Sequence, residues 1–289
     1  MNSIPKWIKT IAPGDTDNER RVSANIGRYN LHSVCEEADC PNQGECWKDG
    51  TATFLLLGDT CTRNCKFCDV KTGNPEGALD EDEPKRLRRA VEELGLTYVV
   101  LTSVDRDDLP DYGAGGFKRS IESLLEVDNP PLIEALIPDF SGDTGLLTEV
   151  AETGLNVVGH NVETVERLSP EVRDPRASYE QSLKVLSFIN DGYPEIVTKS
   201  SIMVGLGETE EEVVRTMEDL STAGVDVVTI GQYLRPSVDQ LPVQRFWKLD
   251  EFNNLKKAGL EIGFSAVLSG PFVRSSYKAK KTYRSARGD

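Results

Sequence analysis

All six cysteines of this 289-residue chain lie between positions 35 and 68, and none follows. Cysteines kept only as small core hydrophobes would be scattered along the strands and helices of a chain this long. Their crowding means that an early segment is organised around thiol chemistry. The window divides into Cys35-x4-Cys40-x5-Cys46 and Cys61-x3-Cys65-x2-Cys68, separated by the apolar run Thr53-Phe54-Leu55-Leu56-Leu57-Gly58. Each trio reads as one site.

Several fillings of those sites compete. A disulfide framework needs an oxidising compartment, and positions 1–10 carry no apolar signal core. Structural zinc wants four ligands, usually in paired spacings, and closing two three-cysteine sites with imidazole would use both histidines, His32 and His160. Soft thiolates in odd spacings suit iron-sulfur cubes better. Three ligands on a four-iron cube leave one iron open, a feature of chemistry rather than scaffolding. Two cubes could instead carry electrons, although a ferredoxin normally completes each with a fourth cysteine.

Charge narrows the partners. With 48 acidic and 33 basic side chains the chain carries −15, which repels a phosphate backbone and an anionic membrane surface alike. No apolar run reaches the roughly 18 residues of a spanning helix. The expectation is a soluble cytoplasmic protein with no nucleic-acid or membrane partner. A saline cytoplasm, where salt screens self-repulsion, would also account for the acidity.

The second trio sits in Gly58-Asp59-Thr60-Cys61-Thr62-Arg63-Asn64-Cys65-Lys66-Phe67-Cys68, which resembles the signature of the radical S-adenosylmethionine (SAM) superfamily. The first trio, in Val34-Cys35-Glu36-Glu37-Ala38-Asp39-Cys40-Pro41-Asn42 and Glu45-Cys46-Trp47, is similar to the lipoyl synthases almost residue for residue. The likeness continues through Thr102-Ser103-Val104-Asp105-Arg106-Asp107-Asp108-Leu109, Gly159-His160-Asn161-Val162-Glu163-Thr164, 199–209, Gly231-Gln232-Tyr233-Leu234 and Ser269-Gly270-Pro271-Phe272-Val273-Arg274-Ser275-Ser276-Tyr277.

The resemblance implies two [4Fe-4S] clusters and SAM as cofactors. Cys61, Cys65 and Cys68 would hold the cluster that cleaves SAM into methionine and a 5′-deoxyadenosyl radical. Cys35, Cys40 and Cys46 would hold an auxiliary cluster, with Ser276 as its fourth ligand and Arg274 close by. A hard alkoxide is a mismatched partner for that iron beside thiolates, which would make Ser276 the release point. Thr102 and Ser103 would meet the methionyl amine of SAM, and Asn161 belongs to the same SAM-binding set. Glu163 would bind the ribose hydroxyls and Arg173 the methionyl carboxylate. The implied reaction inserts sulfur at C6 and then C8 of an octanoyl chain on a carrier lysine, each hydrogen being removed by one SAM-derived radical. Such carbons have no acidic proton, so a base cannot start the reaction.

The implied partners are an octanoylated lipoyl-carrier domain, of the 2-oxoacid dehydrogenase E2 or glycine cleavage H protein type, a reductant such as ferredoxin or flavodoxin, and an iron-sulfur cluster carrier. Other radical SAM sulfur insertions, namely tRNA methylthiolation and biotin formation, fit the first trio's spacing less well.

Beyond Gly58 the sequence alternates β-rich runs with helical patterns, at 51–57, 97–102, 132–137, 156–160, 196–204 and 225–232. Leu87, Ala90, Val91 and Leu94 mark one helix face, as do Val213, Met217 and Leu220. Thr209 and Glu212 form a capping-box pattern, and Gly224 is a stop. The expected fold is α/β, a partial (β/α)6 TIM-type barrel over 51–232. Extensions at 1–50 and 233–289 would carry the auxiliary-cluster ligands.

Gly205-Leu206-Gly207 lacks the third glycine of a dinucleotide fingerprint, leaving close approach to the SAM adenosine or an ordinary strand-to-helix turn. The Asp105–Asp108 stretch reads as a pocket-shaping loop rather than a metal site, since Arg106 sits among its acids. Tyr112 stands where the family commonly has glycine. Lys278 stands where a histidine is usual, and the histidines that commonly follow Pro236-Ser237 are absent. The basic run Arg274, Lys278, Lys280, Lys281, Arg284 and Arg287 reads either as a solvated tail or as a patch steering an acidic carrier towards the auxiliary site.

Overall fold

The computed structural model of the chain describes residues 5, 17–37, 40, 42 and 53–288. Cys46 lies outside them. The described residues group into two compact units, one drawn from Thr10–Asn64 and Asp69–Asn156, the other from Cys65–Cys68 and Val157–Asp289.

The first unit is built on β2 (Thr53–Leu56), β3 (Tyr98–Ser103) and β4 (Leu132–Leu136), with the two-residue β1 (His32–Ser33) antiparallel to β2. β2, β3 and β4 pair in parallel, Thr53 opposite Val100 and Tyr98 opposite Leu132. All four residues of β2 are buried, the near-continuous apolar run of a strand covered on both faces. Helices α1 (Asp17–Arg28), α2 (Val34–Glu37), α3 (Glu83–Leu94), α4 (Ala114–Leu125) and α5 (Thr144–Ala151) complete the unit. α3 starts with Pro84 in its first turn, buries Leu87, Ala90 and Val91, and stops where Gly95 turns left-handed at φ 65°. Phe117 of α4 meets Phe140 edge-on at 6.1 Å.

In the second unit β5 (Val157–Gly159), β6 (Val197–Val204), β7 (Val227–Gln232) and β8 (Ala266–Gly270) pair in parallel. The helices are α6 (Ser169–Val172), α7 (Tyr179–Gly192), α8 (Glu210–Thr222), α9 (Leu249–Ile262) and α10 (Ala279–Arg287). α8 starts at the expected capping box, with Glu212 N donating to Thr209 Oγ1 at 3.3 Å and Thr209 N to Glu212 Oε2 at 2.9 Å. Its buried face is Val213, Thr216, Met217 and Leu220.

Within each unit the strand order follows chain order, as successive βα units require. The architecture is α/β, a partial TIM-type barrel. The parallel series extends one strand beyond the six read from sequence, because β8 continues it from β7.

The basic C-terminal segment is not a solvated tail. α10 buries Ala279 and Thr282, and its Tyr283 and Ala286 pack on Val157, Val197, Val227 and Ala266, where β5 to β8 begin. Lys281, Arg284 and Arg287 stay exposed on the same helix. Steering a carrier to a site at the strands' C-terminal ends is therefore poorly served by this helix, which lies against their opposite ends.

Candidate active site

The chain leaves β2 through Leu57 and Gly58, both left-handed at φ 69° and 94°. Leu57 N is held by the buried carboxylate of Glu83 at 3.0 Å. Cys61 is then fixed by its backbone: Cys61 N donates to Lys71 O at 2.8 Å, and its own carbonyl accepts Gly73 N at 2.9 Å. Its Sγ receives the N–H groups of Arg63 at 3.4 Å and Asp105 at 3.3 Å. The same Sγ donates to Asp105 Oδ2 at 3.7 Å.

Between these cysteines the sequence places Arg63, only 6% exposed. Its fork meets Asp139 at 2.8 and 2.9 Å, Asp107 at 3.0 Å and Asp105 at 3.4 Å. Burial disfavours the Arg63 charge, but the three carboxylates more than offset this and raise its pKa. Burial pushes Asp105 up to about 6, against the pull of Arg63. Arg106, 1% exposed, bonds Asp108 at 2.8 Å and the carbonyls of Leu57 and Ala78. That guanidinium holds Asp108 down at about 2. The acidic stretch is thus a charge-compensated loop, as the arginine within it suggested. Sequence reasoning missed Arg63 and Asp139, whose pairing joins positions 76 residues apart.

Thr102 and Ser103 end β3 with different surroundings. Thr102 Oγ1 donates to Leu136 O at 3.1 Å, whereas the buried Ser103 Oγ has no hydrogen-bond partner. Tyr112 adopts φ 51°, in the left-handed region that favours glycine.

In the second unit, Cys65 and Cys68 share a turn, with Cys68 N donating to Cys65 O at 3.0 Å. Lys66 N bonds Val172 O at 2.9 Å, and Phe67 packs on the unit's core. Cys65 Sγ accepts the N–H of Asp174 at 3.3 Å.

Asn161, Glu163 and Arg173 come together in this unit. Asn161 Nδ2 donates to Glu163 Oε1 at 3.0 Å, while the buried Asn161 Oδ1 is left without a partner. Glu163 stands at φ 67°, strain of the kind kept where a side chain must be aimed. Burial raises the Glu163 carboxyl above its ordinary range, and Arg173 and Asn161 oppose it. Arg173 Nη1 donates to Ser182 Oγ at 2.9 Å, and that hydroxyl donates to Ser178 O at 3.2 Å. With its proton so used, Ser182 Oγ must accept from His160 Nε2, 2.9 Å away. Sequence reading did not single out Ser182.

Gly205 has a packing reason: a Cβ there would stand 2.1 Å from Gln232 Nε2 and 2.8 Å from Arg245 O.

Of the first trio, Cys35 is buried and its N–H bonds Ser33 Oγ at 3.2 Å, while Cys40 N donates to Cys35 O at 3.1 Å. Arg274 Nη1 folds back onto Val273 O at 2.7 Å, and Ser276 O accepts Ala279 N at 3.3 Å.

Iron-sulfur and SAM chemistry fit these residues. None of the five described cysteines is paired in a disulfide, two of their sulfurs already take backbone N–H donors, and two buried polar atoms, Ser103 Oγ and Asn161 Oδ1, lack partners that a polar ligand would supply. Among the described residues no three His, Cys, Asp or Glu side chains converge as on a single ion. Each thiolate of a cube binds a different iron.

The model of the radical SAM superfamily matches residues 55–220. The fold is also that of the FeFe-hydrogenase maturase HydG from Carboxydothermus hydrogenoformans, with a TM-score of 0.59 at 15% identity over 80% of this chain and 56% of that one. Fold and family model together define a radical SAM enzyme.

Curated relatives narrow the class. A lipoyl synthase from Halorhodospira halophila is 52% identical over 96% of this chain and 83% of its own length. One from Thermus thermophilus is 50% identical over 98% and 87%. The chain belongs to the lipoyl synthase family, radical SAM enzymes that use [4Fe-4S] clusters to insert sulfur into a protein-bound octanoyl chain and require a reductant.

Proposed function

We propose that the two cysteine trios divide the labour of this reaction, Cys61, Cys65 and Cys68 holding the cluster that reduces SAM and Cys35, Cys40, Cys46 and Ser276 holding the sulfur-donating one. The observation that carries this reading is the pair of sulfurs, Cys61 Sγ and Cys65 Sγ, each already given backbone N–H donors. Residues 51–232 are the catalytic body, and 1–50 and 233–289 the extensions that bring the auxiliary ligands.

When bound, the clusters and SAM supply an electron, a carbon-centred oxidant for the C6 and C8 hydrogens, and sulfide. The protein's part is to bind and aim. Ser103 Oγ, with Thr102 beside it, accepts from the methionyl amine of SAM. Asn161 and Glu163 receive the ribose hydroxyls. The Arg173 fork takes the methionyl carboxylate, steadied by Ser182 and behind it His160. Ser276 would hold the auxiliary cluster through a hard oxygen, the weakest ligand of its set.

The octanoyl chain is presented by a lipoyl-carrier domain of the 2-oxoacid dehydrogenase E2 or glycine cleavage H protein type. Ferredoxin or flavodoxin supplies the electrons, an iron-sulfur carrier rebuilds the auxiliary cluster, and the setting is the cytoplasm, away from nucleic acid and membrane. Among the described residues no helix is long and apolar enough to cross a membrane.

Anaerobic reconstitution should load about eight irons, from two four-iron cubes. With dithionite, SAM and an octanoyl-lysine peptide, mass spectrometry should show one and then two sulfurs added. Cys61→Ala should remove 5′-deoxyadenosine and thiolated product together, whereas Cys35→Ala should keep 5′-deoxyadenosine and lose only the product. Loss of both from Cys35→Ala, with a full cluster in the second trio, would refute the division.

Because α10 packs where β5 to β8 begin, reversing its exposed charges with K281E, R284E and R287E should leave kcat/KM on an intact octanoylated carrier within about twofold of the parent. A tenfold or greater fall at low salt, spared on the short peptide, would reinstate steering by this helix.

A further inference from the structure

Gly231 lies in β7, opposite Met203 on one side and Gly270 on the other. It keeps ordinary strand dihedrals, unlike the glycines with positive φ, so its backbone would accept any residue. Space alone forbids one. A Cβ at Gly231 would stand 2.0 Å from Val273 O and 3.0 Å from Arg274 Nη1.

The segment after β8 therefore lies directly on the β7 backbone. Its seat is reinforced by Gln232 N donating to Pro271 O at 3.3 Å and Val273 N to Gly270 O at 3.1 Å. Arg274 closes over the same carbonyl, Nη1 to Val273 O at 2.7 Å. From there the turns are short: Tyr277 N bonds Arg274 O at 3.0 Å, and Ala279 N bonds Ser276 O at 3.3 Å. Few free torsions separate the Gly231 contact from Ser276.

We infer that Gly231 is a positioning residue for Ser276: its missing side chain lets the 271–274 backbone settle on β7 and so sets where the Ser276 hydroxyl stands. The inference rests on the proposal that Ser276 is the auxiliary cluster's oxygen ligand. Gly231 touches no reacting atom in this account and acts through Val273 and Arg274.

The test compares anaerobically reconstituted parent, G231A and S276A by two readouts apart from turnover. These are hydrogen exchange of peptides covering 271–277 and the rate at which a ferrous chelator strips the auxiliary cluster's iron. G231A should speed exchange in 271–277 by about tenfold and hasten iron loss as S276A does. Unchanged exchange and iron loss in G231A would overturn the inference. Faster exchange in G231A, with no effect of S276A on iron loss, would uphold the seating by Gly231 and discard the Ser276 ligand. Should G231A fail to fold, adding one glycine after Gly270 in the same variant gives the segment room to lift. That double variant should recover folding with raised exchange in 271–277, and failure to recover would count against the inference.

Discussion

Replacing Arg63 with methionine should destabilise the protein by about 3–5 kcal/mol, the usual result of removing one partner from a buried ion pair. The physical cause is what remains: Asp139 at 1% exposure beside Asp107 and Asp105, all losing the cation that binds them. The loss should depend on pH in a definite direction. A carboxyl whose pKa is raised by folding favours the folded state below its unfolded value near 3.8, and that advantage disappears as pH climbs through its folded pKa. Asp105 already stands at about 6 with Arg63 present, and losing that cation, which pulls it down, moves it further up. Anaerobic urea unfolding followed by circular dichroism should therefore show a larger deficit for R63M at pH 8 than at pH 5. Arg63→Lys keeps the charge but loses the fork that grips Asp139 at two points, and should fall between. An R63M midpoint equal to the parent's at both pH values would mean that the cluster loop owes nothing to this network.

The second large effect is expected at Trp247, which is fully buried. Its indole N–H donates to Glu208 Oε1 at 2.7 Å, its backbone N–H donates to Gln232 Oε1 at 2.9 Å, and the Arg245 guanidinium lies 3.9 Å over its ring. Trp247→Ala should cost about 3–5 kcal/mol through the cavity it opens. It also takes a donor from Glu208, itself 4% exposed and held by Gly205 N at 2.6 Å and Leu206 N at 2.9 Å. Trp247→Phe retains most of the packing and removes only the indole donor, so about 1–3 kcal/mol is expected. If the two variants melt together within error, the packing argument is wrong.

What was legible in the sequence was what short-range pattern encodes. The period of Leu87, Ala90 and Val91 and the Thr209–Glu212 spacing foretold α3 and α8, because both are written within a few turns of helix. β8 was harder: only Ala266 and Val267 of its five residues are buried, and a run ending Ser269-Gly270 reads as loop. α10 was misread because its buried face uses Ala279 and Thr282, small residues that carry little hydropathy among lysines and arginines. At the site, cysteine spacing announced the chemistry, but the side chains that brace it could not be seen. Arg63 finds Asp139 across 76 positions, and Ser182 reaches Arg173 and His160 from a separate helix. Gly231 has a role only because residues 271–274 return over it.

The stretch from Tyr233 to Lys248 contains no helix or strand, yet its course is fixed at intervals. Tyr233 Oη donates to Leu241 O at 2.8 Å, Leu241 N to Lys66 O at 3.0 Å, and Gln244 N to Gly205 O at 2.8 Å. The turn bearing Lys66 lies between Cys65 and Cys68, so a coil without periodicity buttresses a segment that must keep its shape. Absence of regular geometry here brings no slack: cutting or lengthening this coil would be felt first by the cysteine turn it props, well before the neighbouring strands noticed.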